Sequence, residues 1–222
     1  MRAKLLKTNK TADDIYTYWF SAQKPVDNVP GQYTEIYLPH SQPDDRGEHR
    51  KFTIFSSPTE DNLAITIRIR DVHCSTFKRA LLNIKLDDVI NYSQPIGDFV
   101  LPINKLKSVI FVSSGIGYTP VRSIIKWLSD TNQKRDISIL QAVRSKNEII
   151  DKQLFDKFHT EYFVGKSKLN ELQTRMLALI SDKPNCLVYI SGSPTFIEQI
   201  NSILKESGLN SNQVVTDIFD GY

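Results

Sequence analysis

The pattern of predicted strands and helices changes near residue 104. This change restricts the folds that the chain can adopt. Up to about Pro102, short strand patterns alternate with turn signals, and from Leu106 onward strand patterns alternate with helix patterns. The first pattern is typical of an antiparallel sheet, and the second of a parallel sheet with helices on both faces. We therefore predict an antiparallel barrel domain over residues 1–104 and an α/β domain over residues 105–222.

The first half contains six predicted strands and one helix. The clearest strand covers residues 63–69, where apolar and polar residues alternate at period two, as in a half-buried strand. The other strands are predicted at 15–20, 33–38, 52–55, 89–92 and 98–101, and a short helix at 77–86. Six short strands with one helix indicate a small antiparallel barrel.

The second half begins with a fully apolar strand at 109–112 and an amphipathic helix at 120–128. Further strands are predicted at 137–140, 162–164, 187–190 and 214–217, and further helices at 152–158, 170–180 and 195–206. Such an alternation predicts a parallel, Rossmann-like sheet, which binds ligands at the carboxyl ends of its strands.

Charge and cysteine content exclude several classes of protein. The net charge is only +3 and no long basic run occurs, which argues against a nucleic-acid partner. Cys74 and Cys186 are the only cysteines, so these residues cannot supply the four thiolates of an iron–sulfur cluster. No apolar run approaches the ~18 residues of a membrane span, and the basic start is not followed by the apolar segment of a signal peptide. We expect a cytoplasmic protein with no membrane span and no metal site.

Glycine is scarce, with nine residues in the chain, and two glycine turns follow predicted parallel strands. In the first, Gly115 and Gly117 precede Thr119, a candidate N-cap, and Pro120, which suits a first helical position. A helix that begins there offers free N–H groups to a phosphate. The second turn contains Gly192. Because both turns lie at carboxyl ends of strands, they predict one nucleotide crevice. The alternative is a pair of tight strand-to-helix turns that bind no ligand.

Six short motifs occur in an order that resembles the ferredoxin–NADP reductase superfamily of flavin oxidoreductases, over nearly the whole chain. They are Pro30-Gly31-Gln32-Tyr33, Arg50-Lys51-Phe52-Thr53, Gly97-Asp98-Phe99-Val100-Leu101-Pro102, Gly115-Ile116-Gly117-Tyr118-Thr119-Pro120, Ser191-Gly192-Ser193-Pro194 and the C-terminal Asp217-Ile218-Phe219-Asp220-Gly221-Tyr222. The resemblance implies a Greek-key FAD-binding barrel followed by an NAD(P)-binding domain, which matches the change near residue 104.

The resemblance assigns roles to the residues of the flavin motif. Arg50 would pair with the flavin pyrophosphate, for which a guanidinium fork is well suited, and Phe52 would flank the isoalloxazine ring. Thr53 would place a hydroxyl near flavin N5. Without the resemblance, Arg50 reads as a solvated surface charge. The resemblance implies further cofactor contacts from Ile67, His73, Cys74, Ser75, Thr76, Gly115, Gly117, Thr119, Pro120, Ser191, Gly192 and Pro194. The segment 73–76 lacks the glycine that many relatives carry there, and a metal site at His73 and Cys74 is not expected, since further ligands are absent from this segment.

The donor nucleotide is predicted from the residues that follow the second parallel strand. Arg144 and Lys146 are cations at the position where basic residues accommodate a 2′-phosphate in dinucleotide folds. They favour NADPH, with NADH as the alternative. Lys146 can equally be a solvated surface residue.

The C-terminal motif contains two aromatic residues and an acid. By resemblance, Phe219 or Tyr222 would stack on the flavin and yield to the nicotinamide, and Asp217 would be the acid near the flavin, one methylene shorter than the usual Glu. The alternative for Asp217 is an ordinary surface residue on an edge strand.

Together these expectations describe an FAD-dependent oxidoreductase, similar to ferredoxin– or flavodoxin–NADP reductases. It would transfer a hydride between NAD(P)H and bound FAD and pass electrons to a separate acceptor. The acceptor would be ferredoxin, flavodoxin, an oxygenase component or a small molecule. The alternative is a non-catalytic nucleotide-binding or electron-transfer subunit of a larger redox complex.

Overall fold

Two separate sheets follow the predicted change of pattern. The computed structural model describes residues 1–22, 26–70 and 74–219. The strands of the first sheet are Arg2–Ala12 (β1), Ile15–Ala22 (β2), Tyr33–Tyr37 (β3), His49–Thr53 (β4), Leu63–Arg68 (β5) and Val89–Tyr92 (β6), and its helix is Thr76–Asn83 (α1).

The first sheet is an antiparallel barrel with the strand order β4-β3-β6-β1-β2-β5. Its two edge strands are joined where the chain leaves β4, since Phe55 N donates to Ala64 O of β5 at 2.8 Å. The inward-facing side chains of the barrel form a buried core that includes Leu5, Phe20, Ile36, Ile65 and Ile90. Helix α1 covers one end of this core with Phe77 and Leu81.

One of the six predicted strands is wrong, and one strand was not predicted. Residues 98–101 lie outside the sheet, and the strand β1 completes it. In β1 only Ala3 and Leu5 are buried and the residues from Leu6 to Lys10 are exposed, so its period-two pattern is too short to predict a strand. Backbone pairing with β2 and β6 makes it a strand. The stretch 98–101 instead places Phe99 in a core shared with the second sheet.

The second sheet is parallel and has the strand order β11-β10-β7-β8-β9. Its strands are Val109–Ser114 (β7), Ile137–Val143 (β8), His159–Val164 (β9), Leu187–Gly192 (β10) and Val214–Ile218 (β11), and its helices are Tyr118–Asp130 (α2), Lys152–Phe155 (α3), Leu169–Asp182 (α4) and Pro194–Glu206 (α5). Every predicted element is present. Helix α3 has a single turn, because the chain turns after Phe155 to enter β9.

Alternate side chains of the parallel strands face different helices. In β7, Val109 and Phe111 pack with α2 and α3, whereas Ile110 and Val112 pack with α4 and α5. This alternation follows from the period of two along a strand. It confirms the predicted α/β architecture with helices on both faces.

The face of the second sheet that carries α2 packs against the barrel. One buried cluster joins Phe55 and Phe99 of the first half to Val121 and Ile124 of α2, and we call it the shared core. The last strand of the barrel ends at Tyr92 and the first strand of the parallel sheet begins at Val109. The predicted boundary at residue 104 falls between them and stays a prediction.

A buried arginine adds polar contacts to the shared core. Arg122 of α2 is 6% exposed and donates to Glu60 Oε1 at 3.1 Å, to the Phe55 carbonyl at 3.3 Å and to Asp151 Oδ2 at 2.8 Å. Next to it, Ser123 Oγ donates to the Ser56 carbonyl at 2.8 Å. The two sheets are thus held by apolar and ionic contacts at the same place.

Within residues 1–22, 26–70 and 74–219, none of the helices has the length and apolar character needed to cross a bilayer.

Candidate functional site

A cleft of about 1140 Å³ opens where the barrel meets the carboxyl ends of the parallel strands. Five of the predicted site residues line it: Cys74, Gly115, Arg144, Gly192 and Phe219. The sequence did not single out several other lining residues, among them Arg68, Arg70, Lys78, Gly165 and Lys166. The cleft lies at the edge where parallel sheets bind ligands, as predicted from the two glycine turns.

The two glycine turns pack against each other, backbone to backbone. A Cβ atom on Gly117 would lie 2.3 Å from the Ser191 carbonyl oxygen and 2.8 Å from Gly192 N. The Ser191 hydroxyl donates a short hydrogen bond to the Gly117 carbonyl. Only glycine fits at residue 117, so the loops after β7 and β10 form one continuous edge of the cleft.

The start of α2 differs from the prediction. Residues 115–117 form a 3₁₀ turn that runs directly into the helix, so the N-cap is Gly117 and the helix begins at Tyr118. Thr119 and Pro120 therefore lie inside the first turn and are buried, and Thr119 is not the N-cap. Pro120 is tolerated there because the first N–H groups of a helix have no intrahelical acceptor.

Thr53 and Asp217 meet although they are 164 residues apart along the chain. The Thr53 hydroxyl, at the end of β4, donates to Asp217 Oδ2 of β11 at 3.1 Å. Burial raises the pKa of Asp217 to about 6, and the hydrogen bond from Thr53 acts in the opposite direction. Two residues later, Phe219 N donates to the Gly192 carbonyl at 2.8 Å, which fixes Phe219 at the cleft. Tyr222, the other candidate aromatic, lies outside the described residues.

We expect Asp217→Asn to stabilise the protein at alkaline pH. The raised pKa of Asp217 means that the folded state holds this proton more firmly than the unfolded chain does. The stability contributed by the proton is full below about pH 4 and is lost as the pH rises through about 6. The variant should therefore exceed the wild type by about 1 kcal/mol at pH 8 and lose this advantage near pH 4. Denaturant unfolding at pH 4, 6 and 8 measures the difference, and a difference that stays constant with pH contradicts the prediction.

Arg50 is held by its own loop. Its guanidinium is nearly buried and donates to Asp44 Oδ1 at 2.6 Å and to the Gly47 carbonyl at 3.0 Å. Hydrogen bonds from Arg46 and Arg50 hold the pKa of Asp44 well below its ordinary value. Within the described residues, Arg50 does not line the cleft. Its pairing with a pyrophosphate stays a prediction.

The other predicted barrel residues lie around α1. Phe52 is partly buried and packs against Phe77, with ring centroids 5.7 Å apart. Ser75 is the N-cap of α1 and accepts from Lys78 N at 3.3 Å. The Thr76 hydroxyl accepts from Asp44 N at 3.2 Å, while Ile67 is buried in the barrel core. His73 lies outside the described residues.

Of the two cations predicted to contact the donor nucleotide, one lines the cleft and the other does not. Arg144 lines the cleft but its guanidinium contacts two carboxylates, Asp14 and Glu148. Lys146 is exposed and does not line the cleft. At the other turn, Pro194 is the first residue of α5, whose N-cap is Ser193.

Three basic residues on the barrel side of the cleft were missed in the sequence. Arg68 and Arg70 lie two residues apart at the end of β5, and Lys78 lies on α1. Residues two apart on a strand share a face, so the spacing of the two arginines was an available signal. Burial lowers the pKa of Lys78, and an anion in the cleft would offset this cost.

Sequence relatives of the chain include reductase components of oxygenases and flavohemoproteins. No protein-family model matches it. It is 23% identical over 212 residues to terephthalate 1,2-dioxygenase reductase component 1 of Comamonas sp, covering 85% of this chain and 58% of that protein. The flavohem-like FAD/NAD-binding domain of nitric oxide dioxygenase from Vibrio cholerae superposes with a TM-score of 0.81 at 19% identity, covering 98% of both chains. Ferredoxin–NADP⁺ reductase from Plasmodium falciparum also gives a TM-score of 0.81, at 18% identity, covering 98% of this chain and 95% of that one.

These proteins are, by name, a dioxygenase reductase component, an FAD/NAD-binding domain and a ferredoxin–NADP⁺ reductase. The antiparallel barrel followed by the parallel sheet is the ferredoxin–NADP reductase fold, as the sequence motifs indicated. The chain spans 58% of the length of the curated relative named above.

The described residues fit the two nucleotides that reductase domains of the ferredoxin–NADP reductase type bind. The cleft exceeds the roughly 300–1,000 Å³ of a typical small-molecule site, as two nucleotides require. Arg70 and Lys78 supply positive charge for diphosphates, whereas Arg68 is already paired with Asp14 and Glu148. Ser75 begins a helix on the same side. The glycines at 115 and 192 allow a ligand to approach the backbone closely.

Proposed function

We propose that the chain is an FAD-dependent NAD(P)H oxidoreductase domain that transfers a hydride between NAD(P)H and FAD and passes electrons to a separate acceptor. The observation that carries this proposal is the contact between Thr53 and Asp217 next to Phe219, at the edge of a basic cleft. A hydroxyl of the first sheet there donates to a carboxyl of the second, whose pKa is raised to about 6, and two residues later Phe219 lines the cleft.

The residues of the cleft bind and orient the nucleotides. Arg70 and Lys78 would hold the FAD diphosphate from the barrel side. The loops after β7 and β10, at Gly115 and Gly192, would receive the NAD(P)H from the opposite side. FAD, when bound, supplies the hydride-accepting group and the ability to release electrons singly or in pairs.

Asp217 exchanges a proton, and Thr53 holds its carboxylate in position. The Thr53 hydroxyl donates to Asp217 and fixes its carboxylate, and a pKa of about 6 lets Asp217 take up or release a proton near neutral pH. Phe219, two residues after Asp217, lines the cleft and would exclude water from the reacting faces until a donor displaces it.

The acceptor is a separate molecule. By analogy with the reductase component and the ferredoxin–NADP⁺ reductase named above, it would be an oxygenase component, ferredoxin or flavodoxin. A reduction assay with ferredoxin, flavodoxin and cytochrome c, using the chain loaded with FAD, ranks these acceptors.

An absorbance experiment tests the proposed function. The purified chain, loaded with FAD, is expected to be yellow and to lose its absorbance near 450 nm during anaerobic titration with NADH or NADPH. A chain that does not retain FAD, or whose flavin neither donor reduces, contradicts the proposal and favours the non-catalytic nucleotide-binding subunit.

We expect Thr53→Val to slow flavin reduction about tenfold to a hundredfold, because the change removes a hydrogen bond to a buried carboxylate beside the cleft. Stopped-flow absorbance at saturating donor measures the rate. The matched control is Thr216→Val, at an exposed position on the strand that carries Asp217, which should change the rate less than about twofold. Equal rates for Thr53→Val and the control would remove Thr53 from the proposed machinery.

A further inference from the structure

Arg144, the residue that favoured NADPH in the sequence, is part of an ion-pair cluster between the two sheets. Its Nη2 lies 3.0 and 2.9 Å from the two carboxylate oxygens of Asp14, and its Nε donates to Glu148 Oε1 at 2.7 Å. Asp14 lies in the turn between β1 and β2 of the barrel, 130 residues away along the chain. The guanidinium is therefore shared between a carboxylate of each half.

The cluster contains a second arginine that uses the same two acids. Arg68 Nη1 donates to Asp14 Oδ1 at 2.8 Å and to Glu148 Oε1 at 2.9 Å. The side chain of Glu148 is only 7% exposed and that of Arg68 12% exposed, so these charges are largely removed from solvent. Arg70, which is more exposed, also lies 3.6 Å from Asp14 Oδ2 through its Nε, so three guanidinium charges surround the two carboxylates of Asp14 and Glu148.

The position of the cluster matters for the donor nucleotide. Arg144 follows β8 directly and lines the cleft, and residues after this strand contact the ribose 2′ position in dinucleotide folds. A 2′-phosphate there would have to displace Asp14 from Arg144 and would lie near two carboxylates. A ribose 2′-hydroxyl can instead donate a hydrogen bond to either carboxylate.

We infer that Asp14 determines donor specificity by holding Arg144, and that the chain uses NADH in preference to NADPH. This inference rests on the proposed function, since it names the donor of the same site. Asp14 acts through Arg144 and is a positioning residue. The readout that distinguishes this role from a structural one is therefore the discrimination between the two nucleotides.

Binding of nucleotide fragments tests the inference without any redox reaction. Calorimetric titration of the FAD-loaded chain with AMP and with 2′-phospho-AMP, at one fixed salt concentration, gives the ratio of the two affinities. The wild type is expected to bind AMP at least as tightly as 2′-phospho-AMP, and its KM for NADH should be lower than its KM for NADPH. Asp14→Asn is expected to shift the affinity ratio about tenfold towards 2′-phospho-AMP, because it removes one of the two carboxylates that hold Arg144.

Three further variants separate this effect from loss of structure. Asp13→Asn removes the same charge from the neighbouring, exposed position and should shift the ratio less than about twofold. Arg144→Gln should shift the wild-type ratio less than about twofold, but in the Asp14→Asn background it should abolish the tenfold gain, as expected for two coupled residues. The Arg144→Gln result in the wild type does not depend on the folding of the Asp14 variant.

Several outcomes decide between the inference and the function on which it rests. A wild type that binds 2′-phospho-AMP at least tenfold more tightly than AMP overturns the inference, as does an Arg144→Gln variant that loses tenfold in 2′-phospho-AMP affinity. In both cases the proposed function stands. A chain that binds neither fragment and whose flavin neither NADH nor NADPH reduces overturns the proposed function itself.

Discussion

Replacing Gly31 with alanine is expected to cost about 4 kcal/mol of the free energy of unfolding. A Cβ atom at this position would lie 1.9 Å from the Phe99 carbonyl oxygen, and the backbone has a φ of +97°, which residues other than glycine rarely adopt. Phe99 cannot move away, because its ring is buried in the shared core between the sheets. Urea unfolding monitored by circular dichroism measures the loss.

Gly208→Ala is the matched control for this prediction. Gly208 has a similar φ of +79°, but a Cβ atom added there would have no heavy atom of the described residues within 4 Å, apart from its chain neighbours. We expect Gly208→Ala to cost about 1 kcal/mol, from the backbone conformation alone. If both variants lose the same free energy, the close approach of Gly31 to Phe99 does not constrain the protein.

Replacing Arg122 with methionine is expected to cost about 3 kcal/mol of unfolding free energy. The guanidinium is nearly buried between the sheets and is bound by Glu60 and Asp151. Its removal leaves the partly buried carboxylate of Glu60 without its partner, and desolvation makes such a charge costly. Thermal and denaturant unfolding of the variant measure the effect.

Two comparisons identify the cause of this loss. Lys126→Met, on the same helix, breaks a more exposed i,i+4 pair with Asp130 and should cost less than about 0.5 kcal/mol. Adding Glu60→Gln to Arg122→Met should recover part of the stability, since it removes the unpaired charge. A double variant less stable than Arg122→Met shows that packing, rather than charge, accounts for the loss.

The parts of the fold that follow from local patterns could be predicted from the sequence. The alternation at 63–69 and the apolar run at 109–112 predicted strands close to β5 and β7, because burial of one or both faces sets these patterns. Strand β1 could not be predicted in this way. Its side chains are mostly exposed, and its place is set by backbone pairing with β2, the next strand along the chain, and with the distant β6. Backbone pairing of this kind leaves no pattern in the side chains.

The candidate site, like the fold, could be predicted only in part from the sequence. Its location was predictable, because two glycine turns at carboxyl ends of parallel strands must share an edge. It was not possible to predict whether the arginines of the site are paired with carboxylates of the protein. Whether Arg50 and Arg144 face a ligand depends on Asp44 and Asp14, and a local motif does not report which acid lies opposite in the fold. The same limit hid Arg68, whose partners include Glu148 of the second half.

The shared core limits which substitutions the protein can accept during evolution. Phe55 and Phe99 of the first half are packed against Val121 and Ile124 of the second, so this core belongs to both halves, although each half also has a core of its own. A larger side chain on one side needs a smaller one on the other, and substitutions at these positions must occur in pairs. Exchanging one half for that of a distant relative should therefore fail unless the matching residues are transferred with it. Although the two halves form separate sheets, we expect the residues of the shared core to be selected together.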